Sequence, residues 1–206
     1  MRKKAIILDL DNTIYLVSSI SDLLFKSLFR LITESGEYEG SLDEIKAEIT
    51  RRPFQFVAND FSFSINLKSA CLDLLNNLTF EGPIEPVENY EIIREFDCRK
   101  FLVTTGFTML QRSKIKQLGI EDDFERIFII DPDYSNLTKK DIFRSLLTDN
   151  NLEVEEVIVV GDDPKSEIQA AKDLGIESIL YDYKKVRTKT EDQKIIQNFS
   201  ELHQYI

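Results

Sequence analysis

Short, uninterrupted apolar runs recur along the chain, and each is followed at once by polar residues. They are Ala5–Leu8, Phe101–Val103, Ile127–Ile130 and Val157–Val160. A run of this length without alternation reads as a strand buried on both faces, the signature of a parallel sheet covered by helices. A fifth run, Glu177–Asp182, reads as a further strand at the sheet edge. Between these runs the period becomes helical. The spacing predicts a helix over Thr108–Leu118 closed by Gly119, one over Leu137–Leu147 with Lys139 and Lys140 in its first turn, and one from Pro164 to Leu174 ended by Gly175. The tail from Thr190 to Tyr205 predicts one more amphipathic helix.

The alternation is interrupted after the first strand. Leu23, Leu24, Leu28, Phe29, Leu31 and Ile32 recur at helical spacing, with Ser19 or Ser21 able to cap the start and Ser35-Gly36 ending the helix. Ser41 followed by Glu44 predicts a capping box for a second helix. Pro53 breaks it ahead of a cluster of Phe54, Phe56, Phe61 and Phe63. A third helix is expected over Leu67–Leu78, Pro83 and Pro86 mark a break, and a helical segment from Val87 to Phe96 leads back to the sheet. The expected fold class is α/β, a three-layer Rossmann-like parallel sheet with a small all-helical cap. Residues 1–14 and 87–206 form the core and 15–86 the cap.

Charge and composition narrow the partners. The chain of 206 residues carries a net charge of −11, from 26 basic and 37 acidic residues spread along its length. That field repels nucleic acid and anionic membrane and favours a divalent cation. Cys71 and Cys98 are too few for a disulfide framework or a four-ligand zinc site and read as small hydrophobes in a reducing compartment. The start MRKKAIILDL imitates a signal peptide, but Asp9 and Asp11 break its apolar run. No segment approaches the roughly 18 apolar residues of a membrane span. A soluble cytoplasmic protein is expected; its oligomeric state is not specified.

The polar residues after the strands are the candidate chemistry. Asp9 and Asp11 follow the first strand, Thr104 ends the second, Lys139 or Lys140 begins the helix after the third, and Asp162, Asp163 and Glu167 follow the fourth. In a parallel sheet these positions converge on one edge, where ligands bind. Two acids at the mouth of a dry sheet are expensive unless a cation or a reaction uses them.

This ordered set, carried by Asp9-Leu10-Asp11-Asn12-Thr13, FLVTTGF, KKDIF and VVGDDPKSEIQAAKDLG, resembles the haloacid dehalogenase-like (HAD) superfamily, whose members are mostly magnesium-dependent phosphatases. The resemblance implies Asp9 as nucleophile and Asp11 as general acid and base. It implies Thr104, with backbone amides around Thr105 and Gly106, as the phosphoryl seat. A lysine supplies positive charge, Lys139 preferred to Lys140 because it lies four before Phe143 and no Lys-Pro pair precedes it: at that spacing stands Leu137. Mg²⁺ would be held by Asp9, the backbone carbonyl of Asp11 and Asp162, steadied by Glu167 or Asp163. Aspartate two after the nucleophile suits phosphatases and phosphomutases, not the dehalogenating or ion-pumping relatives. The opening DLDNTIY is also similar to pyrimidine 5′-nucleotidase-like members.

The expected function is a Mg²⁺-dependent phosphomonoesterase that closes a helical cap over a small phosphorylated metabolite, a sugar phosphate or nucleoside monophosphate. The alternatives are a phosphomutase and a non-catalytic module that binds a phosphoryl ligand. Tyr15 is expected to line the entrance. Arg51 and Arg52 read as an exposed basic pair, the phenylalanines as cap core, Phe107 as packing at a helix start and His203 as a solvated helix residue.

Overall fold

In the computed structural model, which describes residues 2–187 and 193–206, a parallel sheet of six strands runs in the order β3-β2-β1-β4-β5-β6. The strands are β1 (Ala5–Leu8), β2 (Arg99–Thr105), β3 (Arg126–Ile130), β4 (Val157–Gly161), β5 (Glu177–Tyr181) and β6 (Lys194–Ile196). The central β1 pairs with β2 and β4 in register Ile7↔Phe101 and Ile7↔Val159. Asp9 prolongs the ladder, its N–H donating to the Val160 carbonyl at 3.0 Å.

The uninterrupted apolar runs have the physical cause the sequence suggests. Alternate residues face opposite sides of the sheet, and both sides are covered. Ile6, Leu8, Leu102, Ile158 and Val160 belong to one buried cluster, and Ala5, Ile7, Phe101, Val157 and Val159 to another. The second cluster is completed by α8 (Lys139–Asp149) through Phe143 and Leu146 and by α9 (Glu167–Leu174) through Ala170 and Ala171. The first is completed by α7 (Thr108–Leu118) and by a helical block that leaves the chain between β1 and β2. That block comprises α1 (Ser21–Leu24), α2 (Lys26–Ser35), α3 (Leu42–Ile49), α4 (Phe54–Asp60) and α5 (Ile65–Asn76); a short α6 (Ile92–Glu95) follows it. Leu28, Ile45, Val57 and Cys71 from the block lie in the same apolar cluster as Ile6 and Leu8.

Several local expectations need correction. The edge strand is β6, not β5: Ile195 and Ile196 are buried, and the chain crosses back so that Asp182 N–H meets the Ile196 carbonyl at 2.8 Å. The tail is therefore not one amphipathic helix. After β6 only a 3-10 helix forms, Phe199–Gln204, capped by Asn198, and residues 190–192 of that expectation lie outside the described residues. The helix expected from Pro164 starts at Glu167, because the Asp163 side chain accepts the Lys165 N–H at 2.8 Å and holds a turn first. The first cap helix is split at Phe25 into α1 and α2, and Ser41 stands at the N-cap of α3 without the side-chain hydrogen bond a capping box requires. The segment from Val87 to Phe96 is helical only in the single turn of α6. Gly119 and Gly175 end α7 and α9 in the left-handed conformation.

Candidate active site

The carboxyl ends of β1, β2 and β4 open into a cavity of about 960 Å³. Its floor carries Asp9, Asp11, Thr104, Lys139, Asp162 and Glu167. The helical block supplies its roof, through Phe25, Arg51, Phe54 and Leu75 among others. No helix among the described residues is long and apolar enough to cross a membrane.

Lys139 is placed by local sequence. Thr138 caps α8 and forms a capping box with Asp141, which sets Lys139 at the first helical position. From there its ammonium reaches Asp9 Oδ1 at 2.6 Å and Glu167 Oε2 at 2.7 Å, all three groups being buried. Lys140, one position on, points elsewhere and pairs with Asp173 at 2.8 Å. Consecutive helical residues diverge by about 100°, so only one of the two lysines could face the acids.

Glu167 reaches the cluster over a glycine. A Cβ on Gly161 would lie 2.2 Å from Glu167 Oε1, so that position tolerates no side chain while Glu167 keeps its place. The other direction is fixed by the Asp163 N–H, which donates to Glu167 Oε1 at 2.7 Å. Glu167, not Asp163, therefore stands with Asp9 and Asp162: one carboxylate oxygen from each lies within 4.8 Å of the others. The Asp163 side chain is spent on the turn.

Charge in this cluster does not balance. Three carboxylates face one ammonium, and among the described residues no donor contacts the Asp162 carboxylate. Burial, with Asp9 and Glu167 nearby, pushes the Asp162 carboxyl up to about 9. Burial also pushes Asp9 up to about 7 against the opposing pull of Lys139. An all-oxygen donor set short of positive charge is what a hard divalent cation such as Mg²⁺ takes. The residues fit that ion.

Asp11 has a different environment. Its Oδ1 accepts from Lys114 Nζ at 2.6 Å and from the Tyr15 hydroxyl, and its Oδ2 accepts from Gln111 Nε2 at 2.8 Å. Burial works to raise its pKa, but Lys114, Tyr15 and Gln111 together hold it below the usual carboxylate value. Tyr15 is fully buried beneath the site and does not line the entrance as expected. Gln111 Nε2 also donates to Thr104 Oγ1 at 2.6 Å, which leaves the Thr104 hydrogen free to donate. Gly106 gives Gln111 room, since a Cβ there would lie 3.0 Å from the amide carbon. The Gly106 N–H, however, donates to the Ile130 carbonyl and the Thr108 N–H to Asp131, so neither is available as an anion seat. Thr105 lies beside them at the end of β2 and lines the cavity.

Gln111 and Lys114 are absent from the expectations above. The signal was present: on α7 they fall on the face of Leu110, Ile115 and Leu118, where an apolar helix stripe should run. Polar residues at inward positions mark a buried partner.

A family model described as haloacid dehalogenase-like hydrolase matches residues 3–175. The chain belongs to that family. A curated relative of this hydrolase, the glyceraldehyde 3-phosphate phosphatase of Pyrococcus abyssi, is 25% identical over 196 residues, covering 88% of this chain and 82% of its own. Among solved structures, a Clostridium difficile protein superposes with a TM-score of 0.74 at 18% identity, covering 99% of this chain and 98% of its own. A HAD phosphatase from Thermococcus onnurineus gives 0.64 at 21% identity, covering 98% and 96%. These structural likenesses establish the shared fold of the hydrolase.

Proposed function

We propose that this hydrolase is a cytoplasmic, Mg²⁺-dependent phosphomonoesterase that works through an aspartyl phosphate on Asp9, with the helical block (residues 15–86) as its cap. One observation carries the reading. A buried carboxylate, Asp9, is held by Lys139 beside a cation-deficient acid cluster, while a second carboxylate, Asp11, stands two residues on in a separate ring of donors. The two acids stand in separate surroundings, Asp9 against Lys139 and the acid cluster and Asp11 against Lys114, Tyr15 and Gln111, and separate surroundings are what lets two neighbouring carboxylates take different roles.

Bound Mg²⁺ would be held by Asp9, Asp162 and Glu167, with the Asp11 carbonyl, and would supply positive charge to Asp9 and the phosphoryl oxygens. Asp9 attacks phosphorus and the ester P–O bond breaks, the leaving oxygen taking a proton from Asp11. Asp11, now ionised, takes a proton from water as that water attacks the aspartyl phosphate; Asp9 and inorganic phosphate are released. Thr104 donates to a phosphoryl oxygen, and the Lys139 ammonium offsets the charge that builds on the transferring group. The cap encloses the leaving group and excludes bulk water.

The substrate is a small phosphorylated metabolite. The curated relatives are named for glyceraldehyde 3-phosphate, and a cavity of about 960 Å³ also accommodates a hexose phosphate or a nucleoside monophosphate. Phosphate release from a panel of these esters, with and without Mg²⁺, tests the reading. Release that needs Mg²⁺ and disappears in Asp9→Asn is expected. No release from any ester would overturn it, and isomerisation of a hexose 1-phosphate without free phosphate would make the protein a phosphomutase.

A further inference from the structure

Lys114 is a buried ammonium, 4% exposed, on a helix face it shares with Gln111 and the apolar Leu110, Ile115 and Leu118. Its Nζ has one anionic partner among the described residues, Asp11 Oδ1 at 2.6 Å, and it lies 5.6 Å from the centre of the Tyr15 ring. Burying an ammonium in an apolar layer is unfavourable unless its partner needs it. Gln111, one turn earlier, fixes the other Asp11 oxygen at 2.8 Å and ties it to Thr104. Both torsions of the Asp11 side chain are therefore set from α7, 100 and 103 positions away in sequence.

We propose that Lys114 is the positioning residue for Asp11, aided by Gln111, and that it thereby suits the enzyme to alkyl phosphate monoesters. This rests on the reading of Asp11 as acid and base. An alkoxide is a poor leaving group and must receive a proton as the P–O bond breaks, so its departure depends on where Asp11 is held. An aryloxide such as p-nitrophenolate leaves without that proton. Its departure is indifferent to Asp11, although hydrolysis of the aspartyl phosphate formed from either ester still uses Asp11 as base.

The two ester classes separate positioning from a merely structural ion pair. The test compares Lys114→Met with the parent on p-nitrophenyl phosphate and on the alkyl ester that the parent hydrolyses fastest. On the alkyl ester kcat/KM should fall by about 10² or more, the usual scale of acid–base assistance. On p-nitrophenyl phosphate kcat/KM should hold within a few-fold, while a burst of p-nitrophenolate appears because dephosphorylation has lost its oriented base. Lys114→Arg should recover part of the loss. Equal losses on both esters, or none on either, would overturn the proposal. If Lys114→Met does not melt cooperatively, Lys114→Gln, which keeps a donor without the charge, is read the same way. Asp11→Asn keeps the two readings apart: if it lacks the leaving-group selectivity, the acid–base role of Asp11 fails; if it has it and the Lys114 variants do not, only the positioning role fails.

Discussion

Lys139 Nζ lies 2.6 Å from Asp9 Oδ1, joining residues 130 positions apart at the buried centre of the cavity floor. Its second bond, to Glu167 at 2.7 Å, makes it, among the described residues, the one ammonium bonded within the group of three carboxylates. Two elements meet through it, the end of β1 and the start of α9.

Lys139→Met should abolish phosphate release, with a loss of about 10² or more for removing charge stabilisation at the transferring group. It should also destabilise the metal-free protein by about 3–5 kcal/mol, since buried acids lose their partner. Activity assays and urea unfolding in EDTA measure the two effects. Lys140→Met, which removes only a half-exposed pair with Asp173, should change stability by no more than about 1 kcal/mol.

Gly161→Ala should act on the acid cluster proposed to hold Mg²⁺ from the strand beneath it. The added methyl would have to share space with the Glu167 carboxylate, 2.2 Å from Oε1, so Glu167 must leave the cluster. The Mg²⁺ concentration for half-maximal activity should rise about tenfold or more, as expected when a ligand loses its support. Unchanged Mg²⁺ dependence would mean that Glu167 is dispensable to the ion.

Asp133 fastens the helical block to the core. Gln55 on α4 and Asn76 on α5 donate to its two oxygens at 2.7 and 3.0 Å. Asp133→Ala removes both bonds and should cost about 1–3 kcal/mol in all. The block should then be cut earlier in limited proteolysis, and KM should rise more than kcat falls, because closure over substrate is weakened.

Glu177 makes a pH-dependent contribution at the far end of the sheet. Burial raises its pKa, but hydrogen bonds from Lys194 and from the buried Lys3 outweigh that and hold the carboxyl below its ordinary 4.5. A folded-state pKa below the unfolded one means that the unfolded chain binds more protons at acid pH, so the stability is present above about pH 4.5 and is lost as the pH falls through the lower folded value. Glu177→Gln should therefore lower Tm at pH 7 and flatten the part of the Tm decline that lies below pH 4.5. Equal destabilisation at pH 7 and pH 3 would show that the charge is not responsible.

Much of the fold was legible because its signals are local. Fully apolar runs mark β1 to β4, and Gly119 and Gly175 end their helices. The three residues of β6 were not legible. Nothing in Lys194-Ile195-Ile196 distinguishes a strand from a helical turn until β5 offers its edge.

The sequence by itself determined the order of the acids, the threonine and the lysine along the chain, and hence which sheet edge they approach, because a parallel strand always delivers its carboxyl end to the same side. Only the tertiary structure decided the partners. It set Lys139, already preferred to Lys140 on its spacing, against Asp9, chose Glu167 over Asp163, withdrew the Gly106 amide into the ladder, sank Tyr15 beneath Asp11 and brought in Gln111 and Lys114. A side chain's type and spacing set its reach and its face. Which charge it meets depends on how far the neighbouring helix is turned and tilted on the sheet, and that is set by packing across the whole core.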